Sequence, residues 1–77
     1  LQMIEGGNPM RKEYFVEVYA DWQFSHQVDE AATYNDAMAL AKSMRASLEK
    51  GECFHITTVT YDEDGEEVEM ETEAIAA

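Results

Sequence analysis

Eight carboxylate side chains lie close together near the C-terminal end of this sequence, with no basic residue among them. They are Asp62, Glu63, Asp64, Glu66, Glu67, Glu69, Glu71 and Glu73. From residue 67 every second residue is a glutamate, and a β-strand projects alternate side chains from one face about 6.7 Å apart. Two phosphates two steps apart on one DNA strand are separated by about 6.8 Å along the axis. A strand here would therefore present a row of carboxylates able to enter a Lys- and Arg-lined groove that normally holds nucleic acid.

These charges also have a purely structural interpretation. Glutamates on an exposed edge strand keep a protein soluble and prevent edge-to-edge pairing, and most charge runs are simply solvated. A calcium loop is a third interpretation, because Asp62, Asp64 and Glu66 match its first, third and fifth positions. However, Glu67 stands where that loop needs glycine, and the flanking segments have the pattern of strands rather than helices. We therefore expect no calcium loop.

A cysteine and two histidines are the other candidates for chemistry. Cys53 and His55 share strand parity, so they would lie side by side, and His26 could approach them from an earlier strand. A nucleophilic cysteine also needs an orienting group and an oxyanion site, and a transition metal needs three or four ligands at fixed spacing. Neither pattern is recognisable here. We predict that the protein is not an enzyme and has no catalytic residue, metal or cofactor.

Four strands are predicted around these residues. Residues 13–20 alternate between Val and aromatic or acidic side chains, and the same parity continues after Asp21 from Trp22 to Val28. The short link at Asp21 implies a hairpin. Residues 53–61 and 67–73 are two further strands, and the Asp64-Gly65 pair between them favours a two-residue hairpin turn.

One helix is predicted between the two hairpins, over residues 34–50. Ala37, Leu40, Ala41, Met44 and Leu48 recur at helical spacing. Thr33 suits the N-cap, Asp36 favours the positive end of the helix dipole, and Gly51 can adopt the left-handed conformation that ends a helix.

The fold class that follows is α+β, with the order ββαββ. One four-stranded antiparallel sheet would carry one amphipathic helix packed on one face. The predicted core places Leu40, Met44 and Leu48 of the helix against strand residues Val16, Val18, Phe24, Val28, Ile56, Val68 and Met70. A chain of 77 residues has room for one domain, which we place at residues 10–77. Residues 1–9, with Gly6, Gly7 and Pro9, are expected to be an appended or disordered tail.

The first hairpin carries more aromatic side chains than one thin core can hold. We expect Phe15 and Tyr19 to form an apolar patch on the sheet face opposite the helix, and together with Trp22 they are the candidate residues of an oligomer interface. Such a patch would suit a second copy of the domain, so a homodimer is a second hypothesis. The alternative is that loops or the N-terminal tail cover these side chains.

The composition limits the class of partner. With 17 acidic residues against 5 basic ones, the net charge is −12, which repels phosphate backbones and anionic lipid. We expect no direct binding to nucleic acid or membranes. The single cysteine, and the absence of a signal or membrane-span pattern, favour a cytoplasmic location.

Taken together, these features predict a non-enzymatic protein-binding or inhibitory module. Its acidic second hairpin would engage the basic surface of another protein, such as one that binds nucleic acid. In size and acidity the chain resembles small phage-encoded DNA mimics and anti-CRISPR inhibitors, and no sequence motif carries that resemblance. The hypothesis from a different class is a homo-oligomeric structural domain that associates through its exposed sheet aromatics.

Overall fold

A computed structural model describes residues 11–75, which form one antiparallel sheet and one helix. The elements are β1 (Arg11–Ala20), β2 (Gln23–Ala31), α1 (Tyr34–Ser43), a 3-10 turn (Arg45–Ser47), β3 (Glu52–Tyr61) and β4 (Glu67–Ala74). The strand order is β2-β1-β3-β4, so β1 and β3 are central while β2 and β4 are the edges. This confirms the predicted α+β class and the ββαββ order. The predicted tail, residues 1–9, lies outside the described residues.

The helix begins where the sequence predicts and ends earlier. The Thr33 hydroxyl accepts a hydrogen bond from the Asp36 N–H at 3.1 Å, which is the predicted N-cap. Regular α-helix stops at Ser43 rather than at residue 50, and one 3-10 turn follows. The hydroxyls of Ser43 and Ser47 donate to the carbonyls three residues before them, an interaction that competes with the continuing helix. Gly51 does take a positive φ, +85°, but in the turn that leads into β3.

The core lies between α1 and the face of the sheet that it covers, which we call the inner face. Val16 and Val18 of β1 pair with Ile56 and Phe54 of β3, and all four are buried together with Ala37 and Ala41 of the helix. Leu40, Met44 and Leu48 pack against this cluster, as predicted. Ile75 also packs there, and its N–H donates to the Phe54 carbonyl, so the chain stays ordered just beyond β4.

The predicted core is wrong at four positions, because Phe24, Val28, Val68 and Met70 are exposed. In β4 it is the glutamates that face the helix side, so Met70 lies opposite Val59 on the uncovered face. Phe24 pairs with Tyr19, which also lies on the uncovered face. Val28 is the extra residue at a register shift, where β2 loses strict alternation.

The first hairpin turn lies at Asp21 as predicted, whereas the second differs from the prediction. Trp22 is not in a strand: it forms a two-residue turn with Asp21, both with positive φ, as a type I′ turn requires. In the second hairpin the Asp62 N–H donates to the Glu66 carbonyl, which leaves a three-residue loop instead of a two-residue one. The left-handed residue of that loop is Gly65, a usual arrangement for this loop length. Among the described residues there is no helix with the length and apolar character needed to cross a membrane.

Candidate functional site

Three of the predicted carboxylates form a row on β4. Glu69, Glu71 and Glu73 lie opposite Thr60, Thr58 and Ile56 of β3, on the inner face of the sheet. We call these three residues the glutamate row. All three are exposed, since the 10-residue helix lies over the other strands and leaves β4 open. Pairing with β3 fixes their spacing at about 6.7 Å, the repeat of alternate strand residues.

Glu67 does not extend the row as the sequence pattern predicts. A register shift between Thr60 and Tyr61 places Glu67 opposite Tyr61, on the other face of the sheet. The pKa of the Tyr61 hydroxyl is raised. Burial is the largest cause, a hydrogen bond with Glu13 is the second, and the charge of Glu67 contributes less. The row therefore contains three carboxylates rather than four.

The remaining predicted carboxylates belong to the hairpin loop. One oxygen of Asp62 accepts the N–H groups of both Asp64 and Glu66 at 2.9 Å. This network orders the loop through its own backbone, and Glu63, Asp64 and Glu66 are exposed around it. The acidic surface thus extends from a structured loop along the edge strand.

The glutamate row has little neutralisation from the rest of the described chain. Within residues 11–75 the single ion pair joins Arg11 to Glu13, far from the row in sequence. Glu73 accepts a hydrogen bond from the Tyr34 hydroxyl at 3.1 Å, which links α1 to β4. This bond is the main cause that raises the pKa of Tyr34. Lys42 and Arg45 share a shallow groove with Tyr34 and Glu73, yet neither lies within ion-pair distance of a described carboxylate.

The face of the sheet opposite α1, which we call the outer face, carries the predicted aromatic patch. Phe15 and Tyr19 are half-buried there, and Phe24 packs edge-on against Tyr19 with ring centroids 5.8 Å apart. Trp22, the third candidate interface residue, stands at the tip of the first hairpin and is 79% exposed. Met70, opposite Val59, is also exposed on this side of the sheet, although it was expected in the core.

Cys53 and His55 lie side by side on the outer face, as their parity predicts. The Cys53 Sγ and the His55 Nδ1 are 3.7 Å apart, and the His55 ring stacks on Tyr19 at 3.8 Å between centroids. Burial lowers the pKa of His55, and the nearby Glu17 carboxylate opposes that shift. His26 does not join them, since it pairs with Val18 and therefore lies on the inner face. No three His, Cys, Asp or Glu side chains within residues 11–75 are placed to hold a metal ion.

Hydrogen bonds tie Glu17 into the centre of the outer face. The Thr57 hydroxyl donates to Glu17 at 2.7 Å, and the Thr72 hydroxyl lies 2.8 Å from the same Thr57 oxygen. Thr57 is buried even though no described element covers this face. The polar side chains at the centre of the face are therefore hydrogen-bonded to one another, while the apolar side chains lie towards its ends.

Comparison with protein-family models, with curated proteins and with solved structures gives no match. Function is therefore inferred from the surfaces of the fold. Two of them stand out, namely the acidic edge formed by β4 and its loop, and the outer face with its exposed apolar side chains.

Proposed function

We propose that this chain is a non-enzymatic protein-binding module whose acidic β4 edge engages a basic surface of another protein. One observation carries the proposal: the glutamate row is held at regular spacing by a paired strand, and it has no ion-pair partner among residues 11–75. Charges fixed by a strand pay less conformational entropy on binding than charges on a mobile tail. A rigid row is therefore better suited to recognition than to solubility alone.

The row would contribute mainly to association rate and specificity. An exposed ion pair stabilises a complex by at most about 1 kcal/mol, so three carboxylates cannot supply high affinity alone. A surface with net charge −12 nevertheless steers a basic partner during encounter and repels acidic competitors. The repeat of about 6.7 Å suits cationic grooves that accept a phosphate backbone. Proteins that bind nucleic acid are thus the favoured partner class, and the chain would act on them as an inhibitor or DNA mimic.

The test compares two variants with equal net charge. Glu69→Lys/Glu71→Lys reverses two members of the row, and the control Glu30→Lys/Glu49→Lys reverses two exposed carboxylates elsewhere. The wild-type chain and both variants are immobilised, and proteins captured from a cell lysate are compared at low and high salt. We expect a set of basic proteins to bind the wild type and the control at low salt, and to be lost from the row variant.

The salt dependence and the control variant distinguish binding at the glutamate row from attraction by the net charge. Binding through exposed charges should weaken as the Debye length falls from about 30 Å at 0.01 M salt to about 3 Å at 1 M. If both variants lose the captured proteins equally, only the net charge matters. If the row variant retains them, the assignment of the site to β4 is wrong.

The outer face favours a second candidate, a homo-oligomeric structural domain. Phe24 and Met70 are 56% and 60% exposed, and they lie near opposite ends of a face that no described element covers. Tyr19 and Phe24, which pack edge-on, form an apolar patch at one end of this face, and an exposed apolar patch is typical of an interface between copies. Light scattering over a range of concentrations tests it: Phe24→Glu should convert an oligomer to a monomer, whereas a wild-type chain that stays at 8.7 kDa refutes the candidate.

A further inference from the structure

The two edges of the sheet are protected in different ways. Along β2 the pairing with β1 shifts register twice, between Val16 and Glu17 and again between Val18 and Tyr19. Bulges of this kind twist an edge and hinder the addition of another strand. Along β4 the single shift lies at the start of the strand, and the pairing with β3 is regular from Glu69 to Ala74. No described segment pairs with the other side of β4, which therefore presents a regular open edge.

This open edge has two chemically different sides. Glu69, Glu71 and Glu73 project on the inner face, and Met70 and Thr72, opposite Val59 and Thr57, project on the outer face. Between the two sides, the backbone of β4 exposes the N–H and C=O groups that β3 does not use. An edge with unpaired main-chain groups and exposed side chains on both faces is a template for an added strand.

A second copy of this chain does not suit the edge. If two β4 strands paired with each other, each glutamate row would lie beside the other with side chains about 5 Å apart, and like charges at that distance destabilise a sheet. The negative charge of the glutamates thus prevents the β4 strands of two copies from pairing with each other. The same charges attract a strand that carries cations at the matching positions, so this protection is selective.

We propose that the partner segment is an extended strand that adds to β4, with Lys or Arg at every second residue and apolar side chains between them. This inference rests on the proposed function and specifies how its partner binds. The basic side chains would lie beside the glutamate row, and the apolar ones would lie beside Met70 and Thr72. Main-chain hydrogen bonds would supply affinity that three exposed ion pairs do not.

The test uses synthetic peptides of 8 residues, the length of β4, with the protein unchanged. One peptide alternates Lys and Val, and a second has the same composition arranged as a block of Lys followed by a block of Val. Two further versions of the alternating peptide carry backbone N-methyl groups, either at every Lys or at every Val. In a strand, alternate residues direct their N–H groups to opposite sides, so one of these two versions cannot pair with β4.

We expect the alternating peptide to bind at least about tenfold more tightly than the block peptide at low salt, since several hydrogen bonds are gained together. One N-methylated version should lose about tenfold or more, and the other should retain its affinity. The Glu69→Lys/Glu71→Lys variant should lose the alternating peptide. These results would support strand addition.

Two other results would overturn it. If the block and both methylated peptides bind as well as the alternating one, attraction is by charge alone; the proposed function then survives and strand addition does not. If no peptide binds, strand addition is also wrong, and the lysate comparison of the charge variants still decides the proposed function separately.

Discussion

Replacing Glu71 with glutamine should stabilise the fold, because this residue stands between two like charges. Two carboxylates about 6.7 Å apart repel each other by about 0.6 kcal/mol in water. In 0.01 M salt, with a Debye length of about 30 Å, this becomes about 0.5 kcal/mol for each neighbour, or about 1 kcal/mol for Glu69 and Glu73 together. In 1 M salt the same sum falls to about 0.1 kcal/mol.

The unfolded chain keeps these carboxylates near in sequence but not on one face, so about 1 kcal/mol is an upper limit. Urea unfolding followed by circular dichroism measures the effect, since urea adds no ions. We expect Glu71→Gln to raise the free energy of unfolding in 0.01 M salt and to leave it nearly unchanged in 1 M salt.

A matched variant separates the row from the net charge. Glu30→Gln removes one negative charge at a position that shares a groove with Arg11 and Lys12, so no stabilisation is expected. The reasoning fails if Glu71→Gln destabilises the protein, or if its effect is the same at both salt concentrations. It also fails if the two variants behave alike, since then the regular spacing of the row has no consequence.

Three further predictions concern the fold. Ile56 is 1% exposed, so Ile56→Ala should lower the free energy of unfolding by about 3 kcal/mol. Met70 is exposed, so Met70→Ala should change it by less than about 0.5 kcal/mol. Equal effects of the two variants in urea titrations would contradict the assignment of faces. Thr33→Ala removes the N-cap of α1 and should cost about 1 kcal/mol in the same assay, with a loss of helical circular dichroism. Burial lowers the pKa of His55, so the unfolded chain binds the proton more readily and stability should decrease as the pH falls below the ordinary histidine value of 6.5. His55→Gln should remove that part of the pH dependence while His26→Gln, at an exposed histidine, should retain it; a wild-type pH profile in His55→Gln would refute the prediction.

Local sequence patterns were sufficient to predict the strands and the helix of this fold. A run rich in valine and aromatic residues indicated β1, the spacing from Ala37 to Leu48 indicated a helix, and Thr33 marked its beginning. These features depend on neighbours a few residues apart, which is the range that propensity and capping describe. The end of the helix was misplaced, because the serine hydroxyls compete with the backbone in a way that the apolar spacing does not reveal.

The same patterns could not decide which face of each strand meets the helix. Strand parity separates two sets of side chains but does not say which set is covered, and a shift of one residue exchanges them. Register shifts moved Val28 out of the expected alternation and set Glu67 apart from the other glutamates. In β4 the acidic set lies on the helix side, where α1 reaches only Glu73, through the Tyr34 hydroxyl, and leaves all three glutamates exposed.

The residue types and their spacing along the chain were therefore enough to predict the acidic run, the strand that carries it and the order ββαββ. The pairing of β4 with β3 and the packing of one short helix over part of the sheet decided the rest: β4 became an open edge, three glutamates came to lie in one row, and Met70 turned to the other side. The physical reason is that burial and register depend on contacts between strands distant in sequence, and no local pattern encodes those contacts.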